Sequence, residues 1–306
     1  MAETVPCQIC LNTETSLIQN TGVFLESSEI DIVKCNQCEL IFLNPQPTLD
    51  EIEKIYSDDY FLQWYTSEKK REFSKNFFRN LFYKNNLLYS ISQKMNKPDC
   101  RILDIGCGMG FFLEVAREWR CKVFGVEISR YATKHCRENL NLDVHHGTLE
   151  TADFPIEYFD VITAFDVIEH LKKLSDFLSL VNKILKKDGV FIILVPNYDS
   201  IVFQLDRIIH GIKKTSLPNV PEHLTYFTMD SLKRLLQKHG FRVKYISSTD
   251  ANDEYERLKI RGSLSAIIRS ILDNLCYFLG RISNRKDTIL AVAKKSDGGI
   301  NDLDKI

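Results

Sequence analysis

The 306-residue chain predicts an α/β fold built on a doubly wound, mostly parallel sheet, and three observations carry that prediction. Between residues 101 and 195, apolar strand-length runs alternate with helical patterns at lengths that suit parallel strands joined by crossover helices. Ile102, Leu103 and Ile105 read as a short buried strand carrying Asp104, after which glycine recurs at every second position: Gly106, Gly108 and Gly110. The following strand, Cys121–Val126, ends at an acidic residue, Glu127, 23 residues after Asp104.

From the N-terminus, the first feature is Cys7-x2-Cys10 and Cys35-x2-Cys38, two knuckles separated by 24 residues. Four thiolates at this spacing suit the closed tetrahedral site of a structural Zn²⁺. Nine cysteines, an odd number, argue against a disulfide framework. Neither pair opens a helix in a βαβ unit, so a redox pair is disfavoured too. Two short strands, Val23–Glu26 and Asp31–Lys34, are too little to fold without a staple, so residues 1–47 form a zinc-binding module. Cys100, Cys107, Cys121, Cys136 and Cys276 are scattered and read as small core residues.

Residues 48–98 form a helical linker or lid. Pro45 and Pro47 punctuate, Thr48 caps a helix over Leu49–Tyr56, and residues 67–96 carry Phe73, Phe77, Phe78, Leu81, Phe82, Leu88 and Ile91 near helical spacing. Such a stripe reads first as a packing face. Phe61, Trp64 and Tyr65 are candidates for a lid.

The main domain spans residues 99–296, with helical insertions at about 199–240 and 255–285, and a disordered tail at 297–306. Its glycine loop can turn sharply and bring backbone N–H groups against a ligand. The dinucleotide register G-x-G-x-x-G fails, because its third glycine falls on Phe111 or Leu113. The pattern present, D-x-G-x-G-x-G, resembles motif I of the class I S-adenosylmethionine-dependent methyltransferases. A plain glycine turn after a buried strand is the bland alternative. Glu127 is placed to accept both hydroxyls of a ribose, or, more blandly, to cap the helix that begins beyond Ser129. A helix (Arg130–Leu140), a strand (Asp143–Gly147), a buried strand (Phe159–Phe165), a helix (Leu174–Lys187) and a further buried strand (Val190–Val195) follow. Ligands of such sheets bind at the carboxyl ends of the strands.

Chemistry is sought where the fourth of these strands stops. If Asp166 begins a helical turn, Asp166, Glu169 and His170 share one face. The loop Pro221-Glu222-His223-Leu224 follows the next strand and precedes a helix capped by Thr228 and ended by Gly240, so His223 can meet His170. Three readings stay open: His223 or His170 as a general base, a divalent Mg²⁺ or Mn²⁺ site, and local packing. The metal reading rests on similarity to the E-x-x-E-H…H site of the ubiquinone-pathway and small-RNA 2′-O-methyltransferases, with Asp166 shortening the first ligand by one methylene.

Taken over Cys7 to Lys295, the chain resembles a zinc-knuckle-bearing subgroup of the class I methyltransferases, including Asn44-Pro45-x-Pro47 and Glu222-His223-Leu224-Thr225-Tyr226-Phe227-Thr228. That resemblance implies a Rossmann-like, seven-stranded sheet with a zinc-ribbon-like module and S-adenosylmethionine as cofactor. It further implies that Asp104 orients the loop and that Gly106, Cys107, Gly108 and Gly110 contact the methionine portion. Glu127 would take the ribose and Ile128 would flank the adenine. Thr148 and Leu149 stand where an acidic residue often reads the adenine amino group, while Phe165 and Asp166 sit beside the sulfonium. The implied acceptor is a sugar or nucleotide-linked sugar hydroxyl; a phenol, an RNA 2′-hydroxyl and a non-catalytic binding module are the alternatives.

Apolar residues at 44% and charged residues at 26% are ordinary globular values, and a net charge of −1 gives no bulk attraction to nucleic acid or anionic membrane. A small-molecule partner is expected. There is no basic–apolar–small leader pattern and no apolar run of spanning length, which leads to the expectation of a cytoplasmic protein without a transmembrane segment. Over Gly262–Arg281, Leu264, Ile267, Ile268, Ile271, Leu272, Leu275 and Leu279 recur at helical spacing. They predict an amphipathic helix for packing or a homodimer contact, with membrane-surface binding as the alternative.

Overall fold

The computed structural model describes residues 4–25, 28–48, 51, 68–95, 99–201, 203–204, 220–249, 280 and 283–296. Three strands come first: β1 (Thr15–Leu25), β2 (Ser28–Cys35) and β3 (Ile41–Asn44). Two helices follow, α1 (Glu68–Lys84) and α2 (Asn86–Met95). The alternating region runs β4 (Arg101–Ile105), α3 (Phe111–Glu118), β5 (Lys122–Glu127), α4 (Arg130–Leu140), β6 (Asp143–His146) and β7 (Phe159–Phe165). It continues through α5 (Leu174–Ile184), β8 (Leu185–Pro196), β9 (Thr225–Tyr226), α6 (Met229–Lys238), β10 (Phe241–Thr249) and β11 (Thr288–Lys295).

Seven strands form one sheet in the order β10-β11-β8-β7-β4-β5-β6. The pairs β4–β5, β4–β7, β5–β6 and β7–β8 are parallel, while β11 runs antiparallel to both neighbours. The order reverses at β4, so the loops after β4 and β7 diverge there and open a crevice. Continuous burial along β4, β7 and β8 fits strands covered on both faces. Leu103, Ile105, Ile162 and Ile193 face a core with α5 and α6, and Ile102, Val161, Ile192 and Leu290 face one with Phe82, Phe112 and Trp119.

Leu17, Ile18 and their neighbours lie in a strand that starts at Thr15, well before the expected Val23, because β1 pairs β2 from Thr15↔Cys35 onward. The long helical pattern breaks at Asn85, whose side chain accepts from the Leu88 N–H and starts α2 as a cap does. α1 docks on α3 through bidentate pairing of Arg71 with buried Glu114 (3.1 and 2.6 Å) and of Arg79 with Glu118 (3.3 and 2.6 Å).

The 1–47 boundary does not separate two bodies. The N-terminal sheet takes its fourth strand from β9, in the order β1-β2-β3-β9, with Ile41 opposite Tyr226 and Phe42 opposite Thr225. Two short edges join because each leaves backbone donors and acceptors that need partners. Further ties are Gln8 accepting from the Leu174 N–H (2.9 Å), Lys172 donating to the Pro47 carbonyl (2.7 Å) and Lys238 donating to the Ile9 carbonyl.

The helix expected over Leu49–Tyr56, the lid residues Phe61, Trp64 and Tyr65, residues 202 and 205–219 of the 199–240 insertion and nearly all of the 255–285 insertion, Cys276, the Gly262–Arg281 helix and the 297–306 tail lie outside the described residues. No helix among the described residues is long and apolar enough to cross a membrane.

Candidate active site

The glycine loop folds against the end of β5. The Gly106 and Cys107 N–H groups both donate to the Val126 carbonyl (2.8 and 3.2 Å). Gly106, Gly108 and Gly110 all have positive φ. At Gly110, φ is +78° and a Cβ would meet Leu142 at 2.8 Å and the Cys136 sulfur at 2.9 Å. Gly110→Ala is therefore expected to destabilise the fold by about 2–4 kcal/mol, from left-handed strain plus overpacking, as read by chemical denaturation. At Gly108 a Cβ would meet nothing within 4 Å, so this turn faces open space.

Glu127 is 4% exposed, and both its oxygens are engaged. Oε2 accepts from the Gly108 N–H and Oε1 from the Ser129 N–H, each at 2.8 Å. Its carboxyl is pushed up by burial, against the pull of those N–H groups. The capping reading is thus half present, since one oxygen does serve the start of α4; the other ties the glycine loop to β5. Each oxygen keeps a second lone pair, enough to accept from a vicinal diol. Ile128, next in the chain, is 49% exposed, an apolar surface beside a polar cradle. Thr148 caps a short 3₁₀ turn through Thr151, with Leu149 buried behind it.

Asp104 does not contact the glycine loop by a hydrogen bond; its Oδ1 accepts from the Thr163 hydroxyl on β7 (2.6 Å). Burial, partly opposed by Thr163 and reinforced by the Glu127 charge, raises it to about 7. Cys107 lies buried under the loop near Cys136, whose thiol donates to the Gly108 carbonyl (3.4 Å). Phe165, at the end of β7, stacks on Phe78 of α1 with centroids 5.3 Å apart. α1 therefore closes one side of the crevice.

Asp166 departs from its expected place. Its φ is +54°, and the turn that follows is a 3₁₀ helix over Ile168–His170, so Asp166 does not share a helical face with Glu169 and His170. Its side chain is exposed just beyond the carboxyl end of β7. Its carboxyl is raised to about 6, by desolvation first and by the Asp287 charge second.

Glu169, His170 and His223 do come together, with one ligand atom from each within 4.8 Å of the others. The imidazole centroids are 4.7 Å apart. The Leu224 N–H donates to the Glu169 carbonyl (2.8 Å), which seats the His223 loop on the Glu169 turn. His170 Nδ1 lies 2.8 Å from the Glu222 carbonyl. A carbonyl only accepts, so Nδ1 carries the proton and Nε2 the lone pair, 3.9 Å from Glu169 Oε1. Burial holds His170 at about 4, and burial with the neighbouring imidazole holds His223 at about 3. Glu169 is 1% exposed, and neither carboxylate oxygen has a hydrogen-bond partner among the described residues. A buried carboxylate without such partners is costly, and burial, with the Asp166 charge second, pushes the Glu169 carboxyl well up; the three side chains form a group that could hold a metal ion.

The second group that could hold a metal is Cys7, Cys10, Cys35 and Cys38. Sulfur separations of 3.3 Å (Cys7–Cys38) and 3.4 Å (Cys10–Cys35) suit four ligands around one ion. The two knuckles share one turn: Leu11 donates to the Cys7 carbonyl and Glu39 to the Cys35 carbonyl, both in left-handed conformation. Burial raises Cys38 to about 11. For Cys35, the N–H groups of Cys38 and Gln37 outweigh burial and hold it near 7.

Sequence reasoning passed over Gln46, which is fully buried with neither amide atom paired among the described residues. Its one signal was its position inside Asn44-Pro45-x-Pro47.

A family model described as a methyltransferase domain matches residues 77–246. A "Probable S-adenosylmethionine-dependent methyltransferase" of Mycolicibacterium smegmatis is 29% identical over 144 residues, 47% of this chain and 52% of the relative. A ubiquinone biosynthesis O-methyltransferase of Bradyrhizobium diazoefficiens is 28% identical over 174 residues, 51% of this chain and 68% of the relative. The chain thus spans about half the length of the first of these relatives. The crystal structure of an S-adenosylmethionine-dependent methyltransferase from Archaeoglobus fulgidus covers 78% of this chain and 100% of its own, at 27% identity and a TM-score of 0.53.

Proposed function

Because this chain belongs to the class I S-adenosylmethionine-dependent methyltransferase family, we propose that it transfers the sulfonium methyl group to a hydroxyl oxygen of a small acceptor. A sugar or nucleotide-linked sugar is the favoured acceptor class. The observation that carries the reading is the buried Glu169 carboxyl, with no hydrogen-bond partner among the described residues, beside the imidazoles of His170 and His223.

S-adenosylmethionine, when bound, supplies an already electrophilic methyl group. Glu127 would hold the ribose through its second lone pairs, Ile128 would flank the adenine, and the open turn at Gly108 would admit the methionine portion. These residues fit the cofactor: a Cβ at Gly108 meets only open space, and the cradle is polar on one side and apolar on the other. Phe165 and Phe78 would keep water from the methyl group. Asp166 would line the floor on which the acceptor sits.

A hydroxyl is a weak nucleophile at neutral pH, so it needs a base or a metal. Glu169, His170 and His223 form a mixed carboxylate–imidazole set that would suit a divalent transition-metal ion such as Mn²⁺ better than Mg²⁺, which prefers oxygen ligands. A divalent ion there would lower the pKa of the acceptor hydroxyl. The alternative, His223 as general base, is weakened by its burial: an imidazole held near 3 takes up a proton poorly. Calorimetric titration with Mn²⁺ tests the site directly. Saturable binding in the wild-type chain and none in Glu169→Gln is expected; equal binding in both would remove the assignment. Labelled methyl donor offered with nucleotide sugars, free phenols and RNA separates the acceptor classes, with transfer to a nucleotide sugar expected.

We further infer that Cys7, Cys10, Cys35 and Cys38 hold one structural Zn²⁺, as four sulfurs leave no open position. Elemental analysis should return about one zinc per chain. Chelation should speed amide exchange at Leu43 and Leu224, whose backbones are bonded at 3.0 Å, more than in β4 or β7. Equal exchange in all four places would show that the module folds without the ion.

A further inference from the structure

We propose that Gln46 and Tyr226, at the junction of the N-terminal sheet with the main domain, are acceptor-binding residues that recognise a hydroxyl-bearing substrate. The proposal rests on Glu169, His170 and His223 being the reacting centre.

Both side chains are buried and unsatisfied. Gln46 is 0% exposed with Oε1 and Nε2 unpaired, and Tyr226 is 5% exposed with its hydroxyl unpaired, among the described residues. Fewer than about one buried polar group in ten lacks a partner. These two and Thr225, whose hydroxyl is also unpaired, flank the same junction.

The register puts them beside the reacting centre. β3 and β9 are antiparallel, with Ile41 opposite Tyr226 and the Leu43 N–H donating to the Leu224 carbonyl at 3.0 Å. Continuing past Leu43, the chain runs toward His223 and Glu222. The chain is held next at Asn44, whose Oδ1 accepts from the Val5 N–H, and then at the Pro47 carbonyl, which accepts from Lys172, two residues beyond His170. Gln46 lies on the short span between those anchors. The Tyr226 ring contacts His223 directly, centroids 6.4 Å apart.

An amide offers a donor and an acceptor, and a phenol offers both on one oxygen. That pairing matches neighbouring hydroxyls, or a hydroxyl beside a carbonyl, and rejects an apolar ligand, which would leave every group unpaired.

The experiment compares wild type with Gln46→Met and Tyr226→Phe, each close to isosteric and each removing only the unpaired groups. With no acceptor present, both variants should melt about 2–6 °C higher than wild type, since a desolvated group without a partner is lost. In the ¹⁵N-labelled wild type saturated with S-adenosylhomocysteine, the Gln46 side-chain amide signal should shift on titration with D-glucose or 3,4-dihydroxybenzoate. That signal is assigned by its absence in Gln46→Met. Lower melting of both variants would mean that the groups are satisfied within the fold and would overturn the proposal. So would an amide signal unmoved by both probes. Failure of Mn²⁺ binding would instead strike the metal reading, and leaves these two readouts independent.

Discussion

Glu127→Ala is expected to weaken S-adenosylhomocysteine binding by about 10- to 100-fold. On the proposed reading the carboxylate has two jobs that the variant loses together. It is placed to accept from the ribose hydroxyls, and it fixes the glycine loop through the Gly108 N–H. A hydrogen bond to a charged group contributes about 1.5–3 kcal/mol, which converts to the stated range. Glu127→Gln should do no better. One end of the amide is a donor, and both carboxylate oxygens already face backbone N–H groups at 2.8 Å. Calorimetry on folded variants checks this, and unchanged affinity in both would end the assignment.

His223→Ala should lower turnover by about 10²–10⁴-fold on an acceptor that the wild type methylates, while S-adenosylhomocysteine affinity stays within about twofold of wild type. Glu169→Gln should do the same, although glutamine fills the same space. The two groups sit on different loops: the proposed cofactor cradle follows β4 and β5, and the Glu169–His170–His223 group lies after β7 and before β9. A chelator gentle enough to spare the four-cysteine site should abolish wild-type turnover, and added Mn²⁺ should restore it. Turnover that survives chelation but not His223→Ala would return the general-base reading. Wild-type turnover in His223→Ala would reduce His223 to a packing residue.

The strand–helix alternation from residue 101 to 196 was legible because it is local. Ile102, Ile105 and Phe159–Phe165 announce buried strands by composition alone, and Arg130–Leu140 is bounded by Ser129, whose hydroxyl caps it. The glycine loop was legible because its positive φ values demand glycine. Less could be read at Asp166. Only a left-handed residue takes it off the helical face that spacing suggested, and aspartate gives weak notice of that conformation. The pairing of β3 with β9 was illegible in principle: two residues of strand, far away in the chain, carry no periodicity. Gln46 followed from that blind spot, since burial of a glutamine between two prolines depends on what the distant loop brings over it.

Synthesis of the chain has a built-in waiting time. Ile41 and Phe42 pair with residues made some 180 positions later. At about 5–20 residues per second, the outer edge of β3 stays open for about 10–40 s after it leaves the ribosome. Ile41 and Phe42 are 7% and 1% exposed once folded, so this is an apolar edge of the kind that recruits foreign strands. A fragment that stops before residue 225 keeps that edge for its whole lifetime. Such truncations should therefore aggregate even where the cysteine knuckles are intact, and the N-terminal 47 residues should transplant poorly onto another protein.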